Sequence, residues 1–415
     1  MPSDGTASTY VPRLVDALLG ELLAELPAVQ LVGPRATGKT TTALRLAASV
    51  VRLDRPAEAA AFVADADAAL ARLAEPVLLD EWQQVPAILP AIKRAVDVDS
   101  RPGRFMITGS VRARLDAATW AGTGRVVNVA MGPLVERELA GRAAQRSFLD
   151  RLAAGEVPVP TGELDLVGYV DAAVRGGYPD VVTRSSPLAR QRWLDAYVGQ
   201  LVTRDAELAD GGRDPERLGR YLEAIAANTA GVVEAKRLYD AAGITRVTAR
   251  AYDQLLRNLY VLDAVPAWSS NRLQRLVSQP KRYLVDPGLA ASVLRVGVDE
   301  VMRDGDVLGR LLDTFVAAQL RADAEVSDRR PRLFHLRDGS GRHEVDLLAD
   351  LGTRGIVAFE VKATAAPTAA MAKHLRWLRD RLDDRFLLGV VLHTGPSVIE
   401  LDDRVLALPI AAIWS

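Results

Sequence analysis

The chain has 415 residues, 49% hydrophobic and 25% charged, which is ordinary globular material for two or three domains. Its net charge is -1, so no global field draws it to nucleic acid or membrane, and any basic surface has to be local. It holds no cysteine, which excludes disulfides, thiolate catalysis and cysteine zinc sites, and its four histidines fall at no metal-ligand spacing.

The first ten residues are polar and small, without a signal-peptide core. No run reaches the roughly 18 apolar residues that a membrane helix needs. A cytoplasmic protein without a membrane partner is the expectation.

In chain order, short apolar runs at 28–32, 50–54, 76–80, 104–108 and 126–130 read as strands. Helical patterns lie between them, from Lys39 and over 86–96. This alternation predicts an α/β unit with a parallel sheet over 1–140. Residues 141–212 read as helical, with a surface loop at 157–162, a long helix over 187–208 and a turn-rich boundary at 210–215. Residues 213–280 read as three helices, over 217–230, 233–242 and 245–259, with Gly243 at the turn of a helix-turn-helix. The alternating 260–268 segment fits a wing. Residues 281–415 begin with a strand at 281–286 and continue as helix, three strands, helix and strand, a second α/β unit.

Gly33-Pro34-Arg35-Ala36-Thr37-Gly38-Lys39-Thr40 fits G-x-x-x-x-G-K-[ST] between a strand and a helix, with Thr41 next on that helix. Glycines let main-chain N–H groups turn toward phosphate oxygens, and the helix start adds its positive end. Lys39 is expected at the β- and γ-phosphates of ATP and the Thr40 hydroxyl on Mg²⁺. The strand Val77-Leu78-Leu79 ends in Asp80, placed to hold Mg²⁺, and Glu81, placed to orient and deprotonate the attacking water. A further strand ends in Thr108 and Ser110; a polar residue there either contacts the γ-phosphate or is an ordinary strand-to-loop turn.

The order of phosphate loop, Leu78-Leu79-Asp80-Glu81, Ile107-Thr108-Gly109-Ser110, Gly124-Arg125 and Pro133-Leu134-Val135-Glu136-Arg137-Glu138-Leu139 resembles a prokaryotic AAA+ ATPase family. Its members carry a C-terminal domain of unknown function. Gly176-Gly177-Tyr178-Pro179, Arg192-Trp193-Leu194, Tyr197 and Arg204-Asp205 fit the family's middle segment. The resemblance implies an AAA+ core and makes Arg125 an arginine finger or γ-phosphate sensor. A finger acting in trans requires a homo-oligomer.

Between Arg213 and Arg282 lie 12 lysines and arginines against 7 acids, a surplus of five, with Arg246, Arg250 and Arg257 on the third helix. Such a face suits DNA phosphates, yet winged helices also serve as rigid packing elements. Both readings stay open.

In the last unit, Glu344 and Asp346 fall on one strand face, as do Glu360 and Lys362, while Val345, Leu347 and Val361 are expected to face the core. Two acids and a lysine at paired strand ends suit Mg²⁺-dependent phosphodiester cleavage, and equally suit cross-strand ion pairs. The pattern resembles the PD-(D/E)xK nuclease fold, a restriction-endonuclease-like α/β domain. The resemblance makes Asp346 and Glu360 metal ligands and Lys362 the catalytic lysine. Asp313 stands where such domains carry a helix glutamate. Two functions follow: an ATPase that acts on DNA, or a nucleotide-gated, non-catalytic module whose C-terminal unit docks a partner protein.

Overall fold

The computed structural model describes residues 10–111, 124–160, 162, 164–207, 214–269, 279–338 and 342–415, with the 204–207 side chains, including those of Arg204 and Asp205, left aside. The polar first nine residues and most of the expected 210–215 boundary lie outside the described residues.

The N-terminal unit is built on β1 (Ala28–Val32), β2 (Ser49–Arg52), β3 (Val77–Asp80), β4 (Phe105–Gly109) and β5 (Val127–Ala130). All five are parallel, in the order β2-β3-β4-β1-β5. Parallel strands covered on both faces read as continuous apolar runs, and Leu78, Leu79, Met106 and Ile107 are fully buried. Helix Val15–Glu25 covers one face through Leu19 and Leu23, against Val29, Leu31 and Met106. Helices Pro56–Ala64 and Ile88–Val98 cover the other through Phe62, Ile88 and Ile92, against Val77, Leu79 and Phe105. The sheet therefore inserts β4 between the strand of the phosphate loop and the strand of Asp80.

The middle of the chain is helical: Leu166–Arg175, Pro187–Glu207, Pro215–Ala227, Ala235–Ala241 and Arg246–Asn258. Then β6 (Leu262–Val265) pairs antiparallel with β7 (Lys281–Leu284). The sequence pattern assigns 281–286 to the last unit, but its strand closes a hairpin with the 260–268 segment. Leu262 and Leu284, register partners, are buried in the helical core, as is Leu289 of the following helix Pro287–Leu294.

The C-terminal sheet has six strands: β8 (Arg332–Arg337), β9 (Glu344–Asp350), β10 (Ile356–Lys362), β11 (Phe386–His393), β12 (Ile399–Asp402) and β13 (Val405–Pro409). Their order is β12-β13-β11-β10-β9-β8, parallel across β10, β11 and β13 and antiparallel elsewhere. Helix Gly305–Glu325 lies on one face with Phe315 against Leu347 and Phe359. Helix Lys373–Leu382 lies on the other with Leu375 and Leu378 against Val345 and Leu348.

Val345 and Leu347 thus face opposite cores, contrary to strict alternation. The cause is a bulge: Phe334 pairs with Leu348 but Leu336 with Val345, so β9 carries one extra residue there. An extra residue resets the face that each side chain takes. Asp346 sits inside this irregularity.

Helix Gly305–Glu325 also ties the units together. Asp323 accepts from Arg137 Nη1 at 2.6 Å, Ser147 Oγ at 2.8 Å and the N–H groups of Phe148 and Leu149 at 2.9 Å each. Gln319 Oε1 accepts from Glu136 N–H at 2.8 Å, and Glu325 Oε1 accepts from Ala130 N–H at the end of edge strand β5 at 2.7 Å. Four donors offset most of the cost of burying the Asp323 carboxylate, although burial still raises its pKa.

Candidate functional site

The phosphate loop leaves β1 with the backbone the motif demands. Gly33 passes so close to Met131 that a Cβ there would lie 2.1 Å from its carbonyl oxygen, and Gly38 has φ +89°, a region that favours glycine. Helix Lys39–Leu44 follows. Lys39 is 5% exposed and donates to the carbonyl oxygens of Gly33 at 3.0 Å and Pro34 at 2.6 Å. Burial pushes its ammonium down to about 8, while Glu81 and Asp80 pull the other way.

Register explains how distant residues meet here. Leu31 pairs with Thr108, and Leu79 with Ile107, so Asp80 and Thr108 end neighbouring strands beside the loop. Asp80 Oδ1 accepts from Thr40 Oγ1 at 2.7 Å and from Thr108 Oγ1. Glu81 is held at φ +55°, a left-handed conformation costing about 1 kcal/mol that recurs at functional positions. Its Oε2 accepts from Ser110 Oγ at 3.2 Å and from Gln83 Nε2. A cavity of about 570 Å³ opens between Gly33, Pro34, Trp82 and Val111 on one side and Gln254, Asn258 and Tyr260 on the other. A second, of about 250 Å³, separates Arg35 and Ala36 from Trp193 and Tyr197.

Residues 26–140 match the family model described as an AAA domain. This part of the chain is similar to AAA domains. Residues 167–300 and 308–413 match two models described as domains of unknown function, DUF8612 and DUF4143. Uncharacterized proteins of Mycobacterium bovis and Mycobacterium tuberculosis are each 28% identical over 400 residues, covering 95% of this chain and 82% of their own. A solved Walker-type ATPase of Pyrococcus abyssi aligns at TM-score 0.41 and 16% identity, over 68% of this chain and 94% of that one. No helix among the described residues is long and apolar enough to cross a membrane.

Within the AAA-like domain the fold brings Lys39, Thr40, Asp80, Glu81, Thr108 and Ser110 together, with Thr41 exposed on the same helix. Arg125 is not brought to them. It precedes β5, whose Val127 lies beside Val29, so it sits at the opposite end of the strands from Gly33. The separation is roughly 20 Å of strand. There Arg125 Nε pairs with Asp97 Oδ1 at 2.9 Å.

Sequence reasoning missed Arg13. Buried at 5% exposure, it donates to Thr37 O at 2.6 Å and to Glu138 Oε1 at 2.9 Å, clamping the loop to the Pro133–Leu139 motif. No motif marks an arginine this far from the loop. The aromatic residues of the middle segment form a cluster instead: Tyr178, Trp193 and Tyr197 have ring centroids 4.9 to 5.6 Å apart.

In the C-terminal unit, Asp346, Glu360 and Lys362 share a site with two further residues, Asp313 and Lys281. Lys281 Nζ reaches Asp346 Oδ1 at 3.1 Å and also pairs with Asp313 Oδ2, whose other oxygen accepts from Tyr283 Oη at 3.0 Å. Asp346 Oδ2 accepts from Val361 N–H at 3.0 Å, and Lys362 Nζ pairs with Glu360 Oε2 at 2.6 Å. Burial alone would lower Lys281, but Asp313 and Asp346 hold it well above the ordinary lysine range. Burial raises Glu360 to about 7, with Asp346 adding to it, and its Oε1 is buried without a hydrogen-bond partner.

The nuclease resemblance implies a metal on Asp346 and Glu360. Glu360 Oε1 is an available acceptor, but both oxygens of Asp346 are already engaged, one by an ammonium. Among the described residues, no group of three or more His, Asp or Glu is arranged to hold a metal ion. The donors present do not fit the implied metal.

Proposed function

We propose that the chain binds ATP with Mg²⁺, hydrolyses it, and links that turnover to DNA. The observation that carries the ATPase reading is the meeting of Lys39, Thr40, Asp80 and Glu81 at one edge of a parallel sheet. Main-chain amides of the loop from Gly33 to Thr40 bind the phosphates, and Lys39 gives up its two carbonyl contacts for phosphate oxygens. The Thr40 hydroxyl and Asp80 carboxylate are hard oxygen donors that suit Mg²⁺, which when bound neutralises phosphate charge. Glu81 Oε2, fixed by Ser110 and Gln83, takes a proton from the attacking water. Thr108 holds Asp80 in place.

Phosphate release tests this. Lys39→Ala and Glu81→Gln are each expected to cut turnover by about a hundredfold or more. Turnover that survives both changes would overturn the reading.

The DNA link rests on helix Arg246–Asn258. Its C-terminal residues Gln254 and Asn258 face the cavity beside the AAA-like domain, while Arg246 and Arg250 are exposed. Binding that weakens with salt, with a slope smaller by about one for each of Arg246→Ala and Arg250→Ala, supports it. Protein that binds no DNA, with phosphate release unmoved by it, points to the second reading: a nucleotide-gated module whose C-terminal unit docks a partner protein. The pairing of every acid in that unit's site with an ammonium or amide group favours this alternative.

A further inference from the structure

We infer that the Lys281 ammonium is the resident cation of the C-terminal acid site, standing where a nuclease-like domain would carry a divalent metal, so that the site joins three elements instead of cutting a phosphodiester. The inference does not rest on ATP hydrolysis and would survive the failure of that reading.

Three observations carry it. First, the ammonium is placed as a bound cation would be. Lys281 is 1% exposed, and Nζ has acceptors in Asp313 Oδ2, Asp346 Oδ1 at 3.1 Å and the Asp346 carbonyl at 3.4 Å. An ammonium has three donors, so these saturate it. Burying a lysine to this extent is costly unless it is paired with carboxylates.

Second, both oxygens of Asp313 and of Asp346 are spent, and only Glu360 Oε1 is left over. Asp346 has one oxygen on Lys281 and the other on Val361 N–H, while Asp313 has one on Lys281 and one on Tyr283. Glu360 holds Lys362. Three carboxylates against two ammonium groups leave at most one net negative charge. A divalent ion would turn this cluster positive unless an ammonium left; Lys362, with a side chain 33% exposed, is free to move out, but Lys281 is shut in and keeps its hold on Asp313 and Asp346.

Third, the three groups come from separate parts of the chain. Lys281 stands on β7, Asp313 on helix Gly305–Glu325 and Asp346 on β9. The cation therefore pins the hairpin that follows the Arg246–Asn258 helix to the C-terminal sheet and to the helix that reaches β5. A metal carried by side chains of the nuclease pattern alone would involve no residue of β7. The bulge in β9 belongs to the same arrangement, since it lies at Asp346.

The test uses the full chain, stripped of metal and free of nucleotide. Mn²⁺ is titrated to about 1 mM, the weak end of protein divalent sites, and free Mn²⁺ is read by electron paramagnetic resonance. Wild type and Asp346→Asn are expected to give the same isotherm, since Asp346 binds no Mn²⁺ while Lys281 is present. Lys281→Met is expected to take up one Mn²⁺ within this range that wild type does not bind. That uptake should vanish in Lys281→Met/Asp346→Asn. The melting temperature of Lys281→Met, lowered in chelator, should rise with Mn²⁺, while that of wild type stays put.

A Mn²⁺ equivalent in wild type that Asp346→Asn abolishes would overturn the inference. So would a folded Lys281→Met that gains no Mn²⁺. If Lys281→Met does not fold, the comparison of wild type with Asp346→Asn decides alone: identical isotherms support the resident ammonium, and a lost equivalent refutes it.

Discussion

The two acid-and-lysine sites of this molecule use the same residue types to opposite ends. At the phosphate loop, among the described residues, Lys39 donates to neutral carbonyl oxygens, with Asp80 and Glu81 near it but not bonded to it, and those acids accept from hydroxyl and amide groups. In the C-terminal site, Lys281 and Lys362 each lie on a carboxylate. Buried charge without an ionic partner is costly, and it is available to a ligand. Buried charge with one is stable and committed. The difference separates a site poised to bind from a site that holds the fold.

The sharpest way to break that comparison is to remove both lysines in turn. Lys281→Met strips the counter-charge from Asp313 and Asp346 and is expected to cost about 3–5 kcal/mol, read from denaturant unfolding. Lys39→Met should leave stability unchanged or raised, although nucleotide binding is lost. The lowered Lys39 value, about 8, means that the fold already pays for its charge below that pH. If the two variants lose equal stability, the proposed division of labour fails.

How much of this was legible in the sequence follows the same line. The phosphate loop, Asp80 and Glu81 are read directly, because strand ends in a parallel sheet converge and local motifs mark them, whereas Thr108 stays between a phosphate contact and an ordinary turn until the register sets it on Asp80. Asp346, Glu360 and Lys362 are legible as a group, since two strands with period-two spacing carry them. Lys281 was not, because it belongs to a strand that pairs with β6, and its partners lie 32 and 65 residues further on. Arg13 is hidden for the same reason: its bond to Glu138 spans 125 residues. The β9 bulge has no signal in a run as regular as Glu344-Val345-Asp346-Leu347. Alternation predicted one face for Val345 and Leu347, and the extra residue divided them.

The next effect concerns Glu360, which is nearly fully buried and raised to about 7. The folded state favours its protonated form, so its contribution is complete below the unfolded value near 4.5 and is lost as pH rises through about 7. Glu360→Gln removes that titration. The variant should gain on wild type by roughly 2–3 kcal/mol between pH 5 and pH 8. Thermal melts of both proteins across this range check it. A difference that stays flat with pH would show that Glu360 is ionised throughout.

A smaller effect belongs to the phosphate loop. Phosphate needs the ammonium of Lys39, and in the free protein that proton leaves near pH 8. ATP affinity is therefore expected to fall by up to about tenfold per pH unit above 8, about 1.4 kcal/mol for each unit. Bound phosphate raises the lysine again, so binding at pH 8.5 to 9 takes up a proton. Titration calorimetry in buffers of different ionisation enthalpy measures that uptake directly. The same change would not touch Lys281, whose carboxylates hold its proton well above this range.

The smallest expected effect decides whether the AAA-like domain completes its own site. Arg125 is paired with Asp97 at the far end of the strands from the loop, and its side chain is 42% exposed. An exposed pair of this kind adds little, so Arg125→Ala should leave stability unaltered and ATP turnover of the isolated chain within about twofold of wild type. An arginine finger from a second copy behaves differently. It would make turnover per chain rise with protein concentration in wild type and stay flat in Arg125→Ala. Mixing that variant with Glu81→Gln would then restore activity, because each supplies what the other lacks. Without such restoration, the arginine is a surface residue, and the charge that answers the γ-phosphate has to come from Lys39 and the groups around it.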